Sequence, residues 1–242
     1  MPILVLQHGP HVLPGRLGTT LRDLGFSLDI RRLDLGHRIP TDLDGLQGVV
    51  SLGGEQNVGE THAWMEPELA CLRAAHERQL PVIGICLGHQ LIAHALGGEV
   101  APMSPPHASE WGFTRVSINT TGQIEPMLAG IAWDSMQFQA HGQEVTKLPP
   151  DATLLAGSAA CKIQAFRAGI RTFGFQYHFE CDRAMIEEFM KGSEDSIRRA
   201  GLMPVDVAAQ LERHYAEFAR LADRLCANLA TYLFPLRRRL AS

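Results

Sequence analysis

Apolar and polar positions trade off along the first hundred residues in a regular order. Ile3–Gln7 is an apolar run of strand type, closed by Gly and Pro over residues 9–15. Residues 17–24 have helical spacing, and 27–35 (SLDIRRLDL) alternate as a strand. Residues 48–52 form another buried strand that stops at Gly53-Gly54, and 66–79 carry the apolar spacing of a helix that Pro81 ends. Val82, Ile83 and Ile85 then make an apolar β-type run, and residues 91–96 before Gly97-Gly98 form a short helix with a glycine stop. Strand, helix, strand, helix, strand predicts an α/β fold, an open and mostly parallel sheet with helices on both faces. Such sheets place ligands at the carboxyl ends of their strands.

Farther on the pattern changes twice. Residues 99–170 are β-rich, with Pro102, Pro105 and Pro106 marking loops. From Asp182 the spacing is helical, over 185–191 and 205–233, with Pro204 before the second helix. Leu211, Tyr215, Phe218, Leu221, Leu225 and Leu229 form one stripe, which predicts core packing, with a homodimer or partner surface as the alternative. The expected division is therefore 1–182 for the sheet domain and 183–242 for a helical extension packed on it.

One corner carries most of the chemistry. In PVIGICLGHQ (81–90) an apolar strand runs into a helix with Cys86 at the turn, Gly84 two residues before it and Gly88 two after. A sharp strand-to-helix turn strains its central residue, and glycines on either side remove side chains that would clash. This is the logic of a nucleophile elbow with Cys in place of Ser. The helix that follows points its free amides and positive end at the sulfur, which favours thiolate. TFGFQYHFE (172–180) alternates into His178 and Glu180, and residues i and i+2 of a strand share a face. Glu180 can then orient the imidazole that serves the thiol, completing a nucleophile, base and orienter set.

GICLGHQ followed some ninety residues later by HFE resembles the class I glutamine amidotransferases, whose glutaminases use a Cys-His-Glu triad. VVSLGGEQNV (49–58), Glu110-Trp111-Gly112, expected just ahead of a strand, and FQAHGQE (138–144) resemble further family segments, so the likeness spans about residues 3–182. Within the family it resembles most the stand-alone proteins related to the glutaminase domain of GMP synthetase. The resemblance implies a flavodoxin-like sheet and catalytic roles for Cys86, His178 and Glu180. It also implies an oxyanion hole from the amides of Gly54 and Leu87, with substrate contacts at Gly53, Gln90 and the backbone of His141-Gly142. The implied reaction needs no cofactor and no metal. Its substrate is glutamine or another γ-glutamyl compound; with no P-loop or other ATP-type glycine motif in the sequence, its ammonia would need a synthetase supplied as a separate chain, unless hydrolysis is itself the function. A γ-glutamyl peptidase or hydrolase with the same triad is the alternative. A catalytically silent glutamine- or partner-binding module is the second alternative.

Three positions depart from the family pattern. The usual Gly-Gly-Pro is Gly53-Gly54-Glu55, which predicts a donor loop held less rigidly or rearranged by a partner. The usual His-Pro-Glu is His178-Phe179-Glu180, and the His-Gly-Asp common among near relatives is His141-Gly142-Gln143.

Composition narrows the remaining choices. The 242 residues are 45% hydrophobic and carry a net charge of −4 from 22 basic and 26 acidic residues, with no general attraction for nucleic acid. The one basic cluster, Arg237-Arg238-Arg239, reads as a solvated tail. No apolar run approaches the roughly 20 residues of a membrane span, and the amino-terminus lacks the charged start of a signal peptide. The five cysteines (71, 86, 161, 181 and 226) show no CxxC spacing, which points to a reducing cytoplasm without disulfides or zinc, and Cys181 reads as packing.

Overall fold

A computed structural model describes residues 1–105 and 108–234; Pro106 and the Arg237–Arg239 cluster lie outside the described residues. The strands are β1 (Ile3–Gln7), β2 (Leu28–Arg32), β3 (Gly48–Ser51), β4 (Val82–Ile85), β5 (Glu99–Pro102), β6 (Glu110–Ile118), β7 (Asp134–His141), β8 (Gln143–Lys147), β9 (Ala152–Ser158), β10 (Ala165–Ala168) and β11 (Thr172–Phe175). The helices are α1 (Gly15–Asp23), α2 (Met65–Glu77), α3 (Leu87–Ala95), α4 (Thr120–Gln123), α5 (Arg183–Met190), α6 (Glu194–Arg199) and α7 (Pro204–Asn228), the last running into a π-helical turn at Leu229–Leu233.

Among the described residues nine strands form one sheet in the order β2-β1-β3-β4-β11-β10-β9-β6-β7, and β5 pairs with β8 in a separate ribbon. The β2-β1-β3-β4-β11 portion is parallel, as the strand–helix alternation predicts. The β-rich middle of the chain extends it as antiparallel strands.

Alternation along the central strands sorts their side chains to two cores. Ile3, Val5, Val50, Ile83, Ile85, Phe173 and Phe175 face α1 and α7. Leu4, Leu6, Val49 and Val82 face α2 and α3. The α7 stripe follows the core-packing expectation: Leu211, Phe218, Leu221, Leu225 and Leu229 are all buried, and Tyr215 is half-buried against them. Each fully buried side chain of this size contributes about 1.5–3 kcal/mol through removal from water.

Several boundaries move. The strand expected over 27–35 ends at Arg32, and Leu33–Leu35 turn as a 3-10 helix closed by Gly36 in a left-handed conformation. Glu110-Trp111-Gly112 opens β6 itself instead of preceding it. The strand expected to reach Glu180 stops at Phe175, so His178 and Glu180 sit in the turn beyond it. No helix among the described residues is long and apolar enough to cross a membrane.

Candidate active site

Cys86 is the single residue between β4 and α3, with φ 53° and ψ −107°, a region non-glycine residues rarely occupy. Its own amide donates to the Phe175 carbonyl at 2.8 Å, and its carbonyl accepts from Gln90 N–H at 3.1 Å. The flanking glycines are explained by contact. A Cβ on Gly88 would lie 2.1 Å from the Ser51 carbonyl oxygen, and one on Gly84 would lie 2.5 Å from the Gly88 carbonyl oxygen. Only without those side chains can α3 start this close to the ends of β3 and β4.

The His178–Glu180 pair forms, although the strand geometry that predicted it does not. His178 Nδ1 lies 2.8 Å from Glu180 Oε1 across a turn in which Phe179 is wholly buried, its ring 5.1 Å from that of Phe175. Phe179 thus anchors by packing what the family's proline would restrict by its ring. The turn is also held from outside. Arg16 N–H donates to the Glu180 carbonyl at 2.8 Å, and Gly15, at φ 44°, leaves room for that carbonyl, which a Cβ would approach to 2.1 Å. The Arg16 guanidinium reaches the Cys181 carbonyl (3.1 Å), the Tyr215 hydroxyl (2.6 Å) and Asp223 (2.7 Å). Tyr215 Oη also accepts from Arg183 N–H at 2.9 Å, so α7 braces the turn.

Thiol and imidazole meet over Gly53, where a Cβ would fall 2.9 Å from His178 Cε1 and 3.6 Å from Cys86 Cβ. Burial opposes protonation of His178. The Glu180 carboxylate, the Cys86 sulfur and hydrogen bonding with Cys181 and Cys86 outweigh it, and the imidazole pKa lies well above 6.5. Burial, with Glu180 adding to it, pushes the Cys181 thiol up to about 12, consistent with packing.

The two expected oxyanion donors differ in origin. Leu87 N–H is at the first position of α3, whose opening amides have no partner within the helix. Gly54 N–H comes from the loop after β3, where a Cβ would lie 2.6 Å from Gln56 Oε1 and 2.7 Å from Leu87 Cδ2. That loop is tied down despite its missing proline. The Gln143 carboxamide accepts from Val58 N–H at 2.9 Å and donates to the Val58 carbonyl at 3.4 Å, a two-way pairing that an aspartate could not make.

Gln90, His141 and Gly142 all border the cavity, and the side chains of Gln90 and His141 are oriented by protein partners. Gln90 Nε2 donates to the Gln143 carbonyl (2.9 Å) and to Gln176 Oε1 (3.1 Å), so its carboxamide is oriented by protein. The His141 ring is engaged on both sides, by the Gln143 carbonyl at 2.9 Å and Glu110 Oε2 at 3.1 Å. Burial alone would discourage ionisation of Glu110, yet hydrogen bonds from His141, Thr114 and Ser158 hold its pKa below the ordinary carboxylate value. Gly142 borders the cavity, as do Gly54, Cys86, Gln90 and His178. The cavity measures about 860 Å³, with Glu55, Glu60, Lys191 and Arg199 around its outer part.

Two buried donor sets could be considered for metal, Glu110/His141/Cys161 and His178/Glu180/Cys181, with ligand atoms within 4.8 Å in each. In both, histidine and carboxylate already hydrogen-bond each other, and burial raises the thiol pKa above the ordinary range. Each set is thus a buried hydrogen-bonded network, and a metal bound there would have to displace the thiol proton. Sequence reasoning did not single out His8, Ser51 and Glu68, a buried polar group behind Gly53. The signal was present in His8, which follows a central strand on the same sheet edge as Cys86.

A cysteine on a strand-to-helix elbow, with a carboxylate-oriented imidazole over it, defines an α/β protein of the thiol acyl-transfer type. The chain belongs to the class I glutamine amidotransferase family, whose shared pattern (Glutamine amidotransferase class-I) matches residues 16–187. It is 31% identical over 163 residues to a glutamine-hydrolyzing GMP synthase subunit from Thermoplasma acidophilum, covering 67% of this chain and 76% of the relative. It is also 31% identical over 145 residues, 60% of this chain, to the glutamine-hydrolyzing GMP synthase of Porphyromonas gingivalis, of which it spans only 27%. Among solved structures, a glutamine amidotransferase from Methylobacillus flagellatus superposes with a TM-score of 0.85 at 27% identity, covering 94% of this chain and 93% of the other.

Proposed function

We propose that this protein hydrolyses the side-chain amide of glutamine through a γ-glutamyl thioester on Cys86 and releases ammonia to a separate acceptor enzyme. The observation that carries the reading is the Cys86–His178–Glu180 constellation at the floor of a cavity open to substrate. His178 removes the thiol proton, and the sulfur attacks the carboxamide carbon. The resulting oxyanion is held by the amides of Gly54 and Leu87, and losing one such donor typically costs ~3–4 kcal/mol. His178 then protonates the leaving nitrogen, the C–N bond breaks, and ammonia departs. Water adds to the thioester with His178 as base, the C–S bond breaks, and glutamate leaves. Glu180 keeps the imidazole in orientation throughout. The Thermoplasma relative is named as one subunit of its enzyme, which supports a separate acceptor chain here.

A second reading, hydrolysis of larger γ-glutamyl compounds by the same steps, is favoured by the cavity. At about 860 Å³ it lies towards the upper end of pockets that enclose drug-sized ligands. The experiment incubates purified protein with glutamine or γ-glutamyl dipeptides and measures ammonia, free amino acid and glutamate. Turnover of glutamine that is lost, by roughly 10⁴-fold or more, in Cys86→Ala and His178→Asn is the expected result. Turnover of dipeptides alone favours the second reading. Inertness to every γ-glutamyl compound, with no adduct from a glutamine-mimicking electrophile, supports a binding module.

A further inference from the structure

Behind the oxyanion loop lies a buried acid–base group that the reaction above does not use. His8 follows β1, Ser51 ends β3 and Glu68 lies in the first turn of α2; all three are essentially inaccessible to solvent. Ser51 Oγ donates to Glu68 Oε1 at 2.6 Å, and Glu68 Oε2 lies 2.8 Å from His8 Nε2. His8 Nδ1 lies 2.8 Å from the carbonyl oxygen of Gly53. Carboxylate and carbonyl are both acceptors, so His8 donates from both nitrogens and is an imidazolium.

A buried ion pair is a poor way to hold a helix against a sheet, because desolvation consumes much of its attraction. This one ends on the loop backbone, at Leu52 and, at 2.8 Å, at the Gly53 carbonyl, which belongs to the same peptide as the Gly54 amide. In a trans peptide the C=O and the following N–H point in opposite directions. Fixing Gly53 O towards His8 therefore fixes the Gly54 N–H on the opposite side, away from His8. The loop rests directly on this histidine, since a Cβ on Gly54 would come within 2.9 Å of His8 Cβ, and Trp64 covers the ring at 4.8 Å between centroids.

We propose that His8 and Glu68 are positioning residues that aim and polarise the Gly53–Gly54 peptide as oxyanion donor, taking over the part a proline after Gly54 would play. The inference rests on the acyl-transfer reading of the site. The pair acts in two ways. Its hydrogen bond sets the peptide plane. Its positive charge draws electron density towards the Gly53 oxygen, strengthens the Gly54 N–H as a donor, and stands behind the developing negative oxygen.

The test compares three reactions in the full chain carrying His8→Gln or Glu68→Gln. These are glutamine turnover, inhibition by the aldehyde analogue of glutamine, and alkylation of Cys86 by iodoacetamide. The aldehyde forms a hemithioacetal that needs the oxyanion donors; alkylation builds no oxyanion. His8→Gln is expected to lower kcat by about 10²–10³-fold with KM changed less than about threefold, and to weaken the aldehyde by the same factor. Glu68→Gln keeps the shape without the charge and is expected to cost about tenfold. Alkylation rates stay at the wild-type value. If His8→Gln does not fold, Glu68→Gln decides. Turnover within threefold of wild type in a folded His8 or Glu68 variant overturns the proposal. So does an equal loss of turnover and alkylation, which marks general damage. Wild-type protein that alkylates but hydrolyses neither glutamine nor γ-glutamyl dipeptides overturns the acyl-transfer reading itself, and this proposal with it.

Discussion

The two halves of the expected triad are held by different kinds of structure. The elbow around Cys86 is fixed by neighbours: β3, β4 and α3 meet at Ser51, Gly84 and Gly88, with contacts as short as a backbone allows. The turn around His178 and Glu180 is fixed by segments distant in sequence, with Gly15 and Arg16 of α1 on one side and Tyr215 and Asp223 of α7 beyond them. The proposed nucleophile is therefore presented by a local motif, whereas the proposed base depends on the packing of both ends of the described chain. Damage to the first should disturb the fold, and damage to the second should disturb the chemistry.

The sharpest way to break this contrast is a pair of substitutions, one on each side. Gly88→Ala puts a Cβ 2.1 Å from the Ser51 carbonyl, inside the sheet–helix junction, and is expected to destabilise by more than about 4 kcal/mol, read as lost soluble protein or a collapsed melting temperature. Arg16→Ala removes the guanidinium that reaches the Cys181 carbonyl, Tyr215 and Asp223, and adds no atom to a packed junction. It is expected to fold and to lose about 10²-fold in kcat through misplacement of the base. Equal thermal stabilities for the two variants would contradict the division.

Glu180→Gln comes next. It keeps the turn but removes the charge that raises His178, so the imidazole pKa, followed by NMR, should fall towards its ordinary value while kcat drops by about 10⁴-fold. A folded-state pKa raised above 6.5 stabilises fully below that value, and the contribution is lost as pH climbs through the raised one. The difference in urea stability between wild type and variant should accordingly be widest near pH 6 and shrink at higher pH. The smallest effect is expected from Tyr215→Phe. It removes the hydroxyl shared by Arg16 and Arg183 N–H, costs about 1–3 kcal/mol of stability, and lowers kcat only a few-fold.

What could be read in the sequence follows the same division. The elbow was legible because Gly84, Cys86 and Gly88 encode it within five residues, and the unbroken apolar run Ile3–Leu6 encodes a strand covered on both faces. The pairing of His178 with Glu180 was anticipated, but through a strand that ends at Phe175; a turn packed on Phe179 leaves no periodic signature. The restraints on the Gly53-Gly54-Glu55 loop went unread for a related reason. Its restraints come from Gln143, 85 positions from Val58, and from His8, 45 positions from Gly53, and no local pattern announces partners at that range. His141 and Gln90 were noticed by resemblance, whereas their hydrogen bonds within the protein became visible only in three dimensions.

The backbone at Cys86 holds a positive φ at a residue that carries a side chain, which costs on the order of 1–3 kcal/mol. The fold carries that tension at all times, whether or not anything is bound. The strained backbone thus sets the sulfur at the strand tip, where it borders the cavity.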